Sequence, residues 1–108
     1  MAVASVTIAA GQSLSTTLDL TTTQLTQLMS PSAWSPANVS LQLSADGVKF
    51  LDLYDVNGNE VIRAMGAARA VAIDPVLTSA ATYLRLRSGP AARPVPQAAD
   101  RVFTCVLA

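Results

Sequence analysis

The chain has 108 residues, of which 51% are hydrophobic and only 13% are charged, so it can bury one core and is too apolar to be disordered. Seven basic residues balance seven acidic ones, which excludes the clustered positive face that nucleic-acid binding needs. Its apolar runs are shorter than the ~20 residues of a membrane helix, and its start lacks the basic region of a signal peptide. We therefore predict one folded domain over residues 1–108, with no nucleic-acid partner and no membrane partner.

Short strands are predicted for the first third of the chain. Val3–Ile8 is rich in β-branched residues and predicts the first strand. Leu14, Leu18 and Leu20 share parity, which is typical of one half-buried strand face. The segment TTTQLTQLMS is ambiguous, because the helical spacing of its apolar residues competes with its many threonines.

Two turn signals lie in the middle of the chain, in LQLSADGVKFLDLYDVNGNEV. The Asp-Gly pair in SADG separates two alternating stretches, which favours a hairpin. Asn57-Gly58 is the strongest short hairpin signal, because both residues tolerate the left-handed backbone of a type I′ turn. On the strand between the turns, Phe50, Asp52 and Tyr54 share one face. The sequence therefore predicts a three-stranded meander.

The last third of the chain predicts three more strands. AVAIDP gives a short one, and RVFTCVLA gives the last. In YLRLRS, Leu84 and Leu86 face one way, and Tyr83, Arg85 and Arg87 face the other. GPAARPVPQAAD holds three prolines and predicts an extended loop. About eight short strands without a long helix indicate an all-β antiparallel sandwich or barrel.

The acidic and amide residues at the Asn-Gly turn begin like an EF-hand calcium loop, with Asp55, Asn57 and Asn59 at alternate positions. Such a loop requires Gly at its sixth position and Glu at its twelfth, where this chain has Glu60 and Gly66. Asp and Asn also cap turns with their own side chains. We predict a plain turn and no metal site, with calcium binding as the alternative.

Catalytic chemistry has little support in the sequence. The chain has no histidine, which removes the usual general base and the Ser-His and Cys-His pairs. A Ser–Lys dyad could use only Lys49, at a predicted strand start, and paired carboxylates would need a cleft that a small chain with few aromatics hardly offers. Cys105 lies in an apolar strand-like run and is predicted to be an inert buried thiol. We predict a protein that is not an enzyme and has no cofactor.

The sequence is compatible with two kinds of binding surface, one for a glycan and one for another protein. Candidate platforms for a glycan are Trp34, Tyr54 and Tyr83, although Trp34 could instead plug one end of the sandwich. Protein contacts could use the first strand, by addition to a neighbour's sheet, and the arginines, which pair well with carboxylates. The candidates for a protein interface are Val3, Val6, Ile8, Arg85, Arg87, Arg93 and Arg101. The arginines could equally pair with acidic residues inside the domain.

Two stretches carry a resemblance to known proteins, AWSPANVSLQLSADGVKFLDLYDVNGNEV and YLRLRSGPAARPVPQAADRVFTCVL. Together they resemble small proteins encoded among the virion structural genes of tailed bacteriophages and prophages. The S-x-DG-V-x-F hairpin and the YLRLRSG strand are also similar to the jelly-roll sandwich of discoidin-like domains, which serve as adhesion and glycan-binding modules. The resemblance extends over residues 5–107 and consists of turn and core signatures.

The resemblance implies an antiparallel β-sandwich of jelly-roll type in a virion protein that binds the capsid surface as an oligomeric decoration or cement protein. Its partners would be the major capsid protein, further copies of itself, or both, and it would be assembled into the virion in the host cytoplasm. The low-charge composition agrees, because such surfaces are common inside assemblies. The alternative is a tail or head-fibre module that binds a host-surface glycan, and a bacterial adhesion domain unrelated to phage is a third interpretation.

Overall fold

A computed structural model describes residues 2–74 and 82–108 of the chain and confirms an all-β antiparallel sandwich. Within these ranges there is no helix, and every named strand pair is antiparallel. The strands in chain order are β1 (Ala2–Ile8), β2 (Leu18–Asp19), β3 (Leu25–Met29), β4 (Val39–Ser44), β5 (Leu51–Asp52), β6 (Ile62–Arg63), β7 (Ala70–Ala72), β8 (Tyr83–Ser88) and β9 (Arg101–Leu107).

The strands form two sheets. The first sheet has the order β1-β9-β3-β7, and the second has the order β2-β8-β4-β5, with β6 also paired to β4. From β1 to β4 and from β6 to β9, each connection crosses from one sheet to the other. The predicted jelly-roll connectivity is compatible with this strand order and stays a prediction.

The core lies between the sheets because inward side chains alternate with outward ones along the strands. Phe103 and Cys105 of β9 face inward, as do Leu84 and Leu86 of β8, and all four are fully buried. Burying a large apolar side chain such as that of Phe103 or Leu84 stabilises the fold by about 1.5–3 kcal/mol. The buried apolar residues are Val6, Ile8, Leu18, Leu20, Leu25, Leu28, Val39, Leu41, Val61, Met65, Ile73, Leu84, Leu86, Phe103, Cys105 and Leu107.

The ambiguous segment is strand β3, and a β-bulge explains its pattern. Leu25 and Leu28 are three residues apart, so a regular strand would send them to opposite faces. The pairing of β3 with β9 shifts register between Leu25 and Gln27, and this extra residue lets both leucines point into the core. The helical spacing in the sequence is therefore the signature of a bulged strand.

The Asn-Gly turn differs from the predicted type I′ turn. Gly58 has a positive φ of 82°, but Asn57 is not among the residues with positive φ. The Gly58 N–H donates to the Asp55 carbonyl at 3.0 Å, and the Asp55 carboxylate accepts the N–H groups of Asn57 and Asn59 at 2.9 and 3.0 Å. In this turn only the glycine has a left-handed backbone, whereas a type I′ turn would also require positive φ at Asn57. The aspartate fixes this turn through its side chain.

The Asp-Gly turn uses the same chemistry in a longer loop. The Asp46 carboxylate accepts the N–H groups of Val48 and Lys49 at 2.8 and 3.0 Å, and the hydroxyl of Ser44 at 3.0 Å. These hydrogen bonds lower the pKa of Asp46 below its usual value. The hairpin partner strand starts only at Leu51, so the loop is longer than the alternation in the sequence predicts.

Candidate functional site

The outer face of the second sheet holds a buried ion-pair cluster around Arg87. The Arg87 guanidinium contacts Asp52 at 2.5 Å and Glu60 at 3.0 Å, and its Nε donates to the Ser40 hydroxyl at 3.0 Å. The Gln42 side chain also donates to Asp52, at 3.1 Å. The arginine comes from β8, while its two carboxylates come from β5 and from the connection to β6. The cluster therefore fastens two short edge strands to the middle of the sheet.

The Arg87 cluster is internal and does not offer a free cation to another molecule. The Arg87 side chain is only 6% exposed, and its hydrogen bonds hold the pKa of Asp52 below its ordinary value, with a smaller contribution from Gln42. The Arg87 guanidinium is therefore not exposed for the protein contact predicted for it. The alternative weighed from the sequence, pairing inside the domain, is what the geometry supports for this residue.

The other three candidate arginines have different surroundings. The guanidinium of Arg85 lies 4.0 Å from the centre of the Phe50 ring, in cation–π geometry, and its Nε donates to the Thr17 hydroxyl at 3.3 Å. Arg93 is exposed on the proline-rich loop. Arg101 is partly buried and donates to the side chains of Gln97 and Ser35. Arg93 thus remains the most accessible of the four for a contact with another chain.

A second buried polar cluster surrounds Gln97, a residue that the sequence analysis did not single out. Its side chain accepts the Ser35 N–H at 2.9 Å and donates to the Ser88 hydroxyl at 2.7 Å. Its main chain exchanges hydrogen bonds with Gly11 and Gln12. Through its buried side chain and its main chain, Gln97 connects the proline-rich loop to the loops at Ser35 and Gln12 and to the end of β8.

Trp34 lies at one end of the sandwich and packs against the core. Its ring meets Phe103 edge to face, with centroids 5.2 Å apart and an interplanar angle of 89°. Its indole N–H donates to the Ala37 carbonyl at 3.0 Å. Both the ring and its polar atom are therefore engaged inside the molecule, in the position of the plug that the sequence analysis raised as the alternative to a glycan platform.

Tyr54 and Tyr83 lie on the outer face of the second sheet but not together. Tyr54 is 54% exposed, while the Tyr83 ring lies against Gly47, where an added Cβ would come within 3.2 Å of it. Tyr54 lies beyond the end of β5, where it bridges to Glu60, whereas Tyr83 pairs with Ser44 at the C-terminal end of β4. The three candidate aromatics therefore do not form one platform.

Strand β1 divides into inward and outward side chains, which corrects part of the interface prediction. Val6 and Ile8 are 1% and 0% exposed, because they alternate into the core opposite Phe103 and Arg101. Their side chains cannot contact another chain. Val3 faces outward and is 68% exposed, so it is the apolar interface candidate that β1 retains.

The strand residues on the outer face of the first sheet include no charged side chain, and the exposed Asp74 and Asp100 continue the outward positions just beyond β7 and β9. Alternation and register place three outward positions on β1, three on β9, two on β3 and two on β7, which makes ten. They are Val3, Ser5, Thr7, Val102, Thr104, Val106, Gln27, Met29, Ala70 and Ala72. We call this set the uncharged face. Three of its apolar side chains, Val3, Val102 and Met29, are well exposed.

The free edge of β1 borders this uncharged face. At its C-terminal end, Thr7 donates its N–H to the Thr16 hydroxyl and accepts the Thr16 N–H, at 3.0 and 2.9 Å. Over Ala2–Val6, the strand pairs with β9 on one side, and no described residue pairs with it on the other. An unprotected strand edge of this kind is a template for a further strand.

Cys105 is a free thiol that is fully buried on β9. Burial raises its pKa to about 11. We expect iodoacetamide to leave Cys105 unmodified in the folded protein at pH 8 for hours, and to alkylate it within minutes in denaturant. Intact-mass spectrometry reads the difference, and rapid modification of the native protein would contradict this burial.

Neither a metal centre nor a membrane span is found in residues 2–74 and 82–108: no three metal-binding side chains cluster there, and no helix is long and apolar enough to cross a bilayer. Comparison with protein-family models, curated proteins and solved structures finds no match to this chain. Its function therefore has to be inferred from its own surfaces.

Proposed function

We propose that the protein is a non-enzymatic structural protein of a tailed-phage particle, which binds the capsid surface as an oligomeric decoration or cement protein. The observation that carries this proposal is the uncharged face of the first sheet. A contact with the major capsid protein through this face desolvates no charge and covers apolar side chains such as Val3 and Val102.

The size of the uncharged face supports binding in many copies. A stable interface uses about 20–30 residues on each side, and this face offers ten. One copy alone would therefore bind weakly. On a shell with many equivalent positions, linked copies bind together, and their weak contacts multiply through avidity.

An arginine placed on the uncharged face is expected to weaken binding to the shell at least tenfold. Val102 is 49% exposed on this face, near the start of β9, so Val102→Arg introduces a charge that the contact would have to desolvate. The measurement is co-sedimentation of the purified protein with phage particles that lack it. The matched control is Val48→Arg, since Val48 is 85% exposed in the β4–β5 loop, away from the uncharged face.

The outcomes separate the capsid proposal from its alternative. Loss of binding in Val102→Arg with normal binding in Val48→Arg supports the shell contact. Equal binding of both variants overturns the assignment of this face, and absence of the native protein from the shell overturns decoration. Density at the tail or on a fibre would instead favour a glycan-binding module, for which exposed Tyr54, beside the polar Arg87 cluster, is the ring to replace.

A further inference from the structure

We propose that two copies of this chain pair through the free edges of their β1 strands, antiparallel and about a two-fold axis at Ala4. This deepens the proposed function, since it names a second copy as the occupant of the β1 edge. Two features of the β1 edge favour this pairing: the direction of its backbone groups and the absence of charge along it.

The backbone groups that face the free edge belong to Val3 and Ser5. Both the N–H and the C=O of Thr7 point away from β9, because they bond to Thr16. In an antiparallel ladder these directions alternate with a period of two residues. The N–H and C=O groups of Val3 and Ser5 therefore point to the same side as those of Thr7, where no described residue accepts or donates to them.

The free stretch specifies one register for pairing with itself. Thr16 occupies both backbone groups of Thr7, which leaves those of Val3 and Ser5 as the outward groups without a described partner. Val3 and Ser5 are centred on Ala4, so a two-fold axis there places Val3 opposite the partner's Ser5. Val3 and the partner's Ser5 then form two backbone hydrogen bonds with each other. The symmetry-related pair forms two more, which makes four in all. Every outward group of Val3 and Ser5 is then satisfied.

The edge lacks the features that usually protect a free strand. Ala2–Val6 contains no lysine, no proline and no charge, and its seven-residue strand has no bulge against β9. A partner edge without charges suits it, because an unpaired charge would otherwise be desolvated. The same edge on a second copy meets this requirement.

Pairing at β1 also enlarges the surface available to the shell. The two first sheets would join into one eight-stranded sheet, and their uncharged faces would become continuous. Ten outward positions become twenty, which reaches the lower end of about 20–30 residues for a stable interface. The dimer is therefore the smallest unit with a contact face of ordinary size.

Sedimentation velocity of the purified protein over a concentration series tests the pairing without any particle. We expect a dimer, with a dissociation constant that rises at least tenfold in Ser5→Pro and is unchanged in Ser5→Ala. Proline removes the outward N–H and is tolerated on an edge, while alanine changes the side chain alone. A native protein that stays monomeric at several hundred micromolar, or a Ser5→Pro variant that dimerises as well as Ser5→Ala, would overturn the proposal.

A cysteine cross-link tests the register and covers the case in which Ser5→Pro does not fold. In a Cys105→Ala background, Ala4→Cys places two thiols on the axis, with Cα atoms about 4.5 Å apart, within disulfide range. Ala2→Cys places them four residues apart along the strand, about 13 Å, which is too far. We expect oxidation to cross-link only Ala4→Cys, although Ala2 is the more exposed position. Equal cross-linking of both variants, or none of Ala4→Cys, contradicts this register.

These tests are independent of the capsid proposal. A monomer that still coats particles would overturn the β1 pairing and leave decoration standing. A dimer with this register that fails to coat particles would overturn decoration alone.

Discussion

Replacing Arg87 with methionine is expected to lower the free energy of unfolding by about 3–5 kcal/mol. Methionine fills part of the volume but leaves the carboxylates of Asp52 and Glu60 without their cation, in a site where Glu60 is 16% exposed. The Ser40 hydroxyl also loses its donor. Urea denaturation of the two proteins at pH 7 measures the difference.

Arg85→Met is the matched control, since it makes the same substitution two residues earlier on the same strand face. Arg85 is partly exposed and contacts Phe50 and Thr17, so its loss should cost about 1 kcal/mol or less. Equal losses in the two variants would contradict the role assigned to the buried cluster.

Acid provides a second readout of the same substitution. The folded-state pKa of Asp52 lies below the ordinary value of 3.8, chiefly because of Arg87. The carboxylate therefore contributes stability above its unfolded pKa, and this contribution is lost as the pH falls through the folded pKa. We expect the native protein to lose stability below about pH 4 more steeply than Arg87→Met does.

Replacing Phe103 with alanine is expected to cost about 3–5 kcal/mol and to change the environment of Trp34. Phe103 is fully buried at the centre of the core, and its ring supports the Trp34 ring edge to face. Its removal leaves a cavity that surrounding side chains fill only in part. Urea denaturation gives the energy, and a red shift of tryptophan emission reports the exposure of Trp34.

Val102→Ala is the control for this core substitution. Val102 is the preceding residue on β9, but it faces outward and is half exposed. Its truncation should change stability by about 0.5 kcal/mol and leave the emission spectrum as it is. An unchanged spectrum in Phe103→Ala would show that the Trp34 ring does not depend on Phe103.

Local periodicity predicts the regular strands well, because apolar residues alternate with polar ones when one face of a strand is buried and the other is exposed. In YLRLRS, Leu84 and Leu86 alternate with arginines, and β8 has these two faces in the structure. The spacing of Leu25 and Leu28 misleads for a definite reason: the bulge that reconciles them lies in the pairing with β9, about 80 residues later, as in the bond from Thr26 to Val106.

The polar clusters could not be predicted in the same way, because their members are brought together by tertiary contacts. Arg87 meets Glu60 and Ser40 from far along the chain, and an arginine on an alternating strand is equally typical of an exposed face. Gln97 lies in a proline-rich loop, where nothing in the local pattern marks a buried amide. The interface candidates on β1 are a similar case. The sequence shows that Val3, Val6 and Ile8 are apolar, but only the packing of β1 shows which of them face the core.

The pairing of β1 with β9 has a consequence for how the chain folds. Ala2 lies opposite Leu107, so the first strand cannot find its partner until nearly all the intervening residues have been ordered or looped out. Topologies dominated by such distant pairs fold in about milliseconds to seconds, whereas neighbouring strands such as β4 and β5 can meet early. During synthesis on a ribosome, β1 emerges long before β9 and lacks this partner until β9 follows. The first sheet is therefore completed after the second, and its outer surface exists only once β9 has been synthesised and paired.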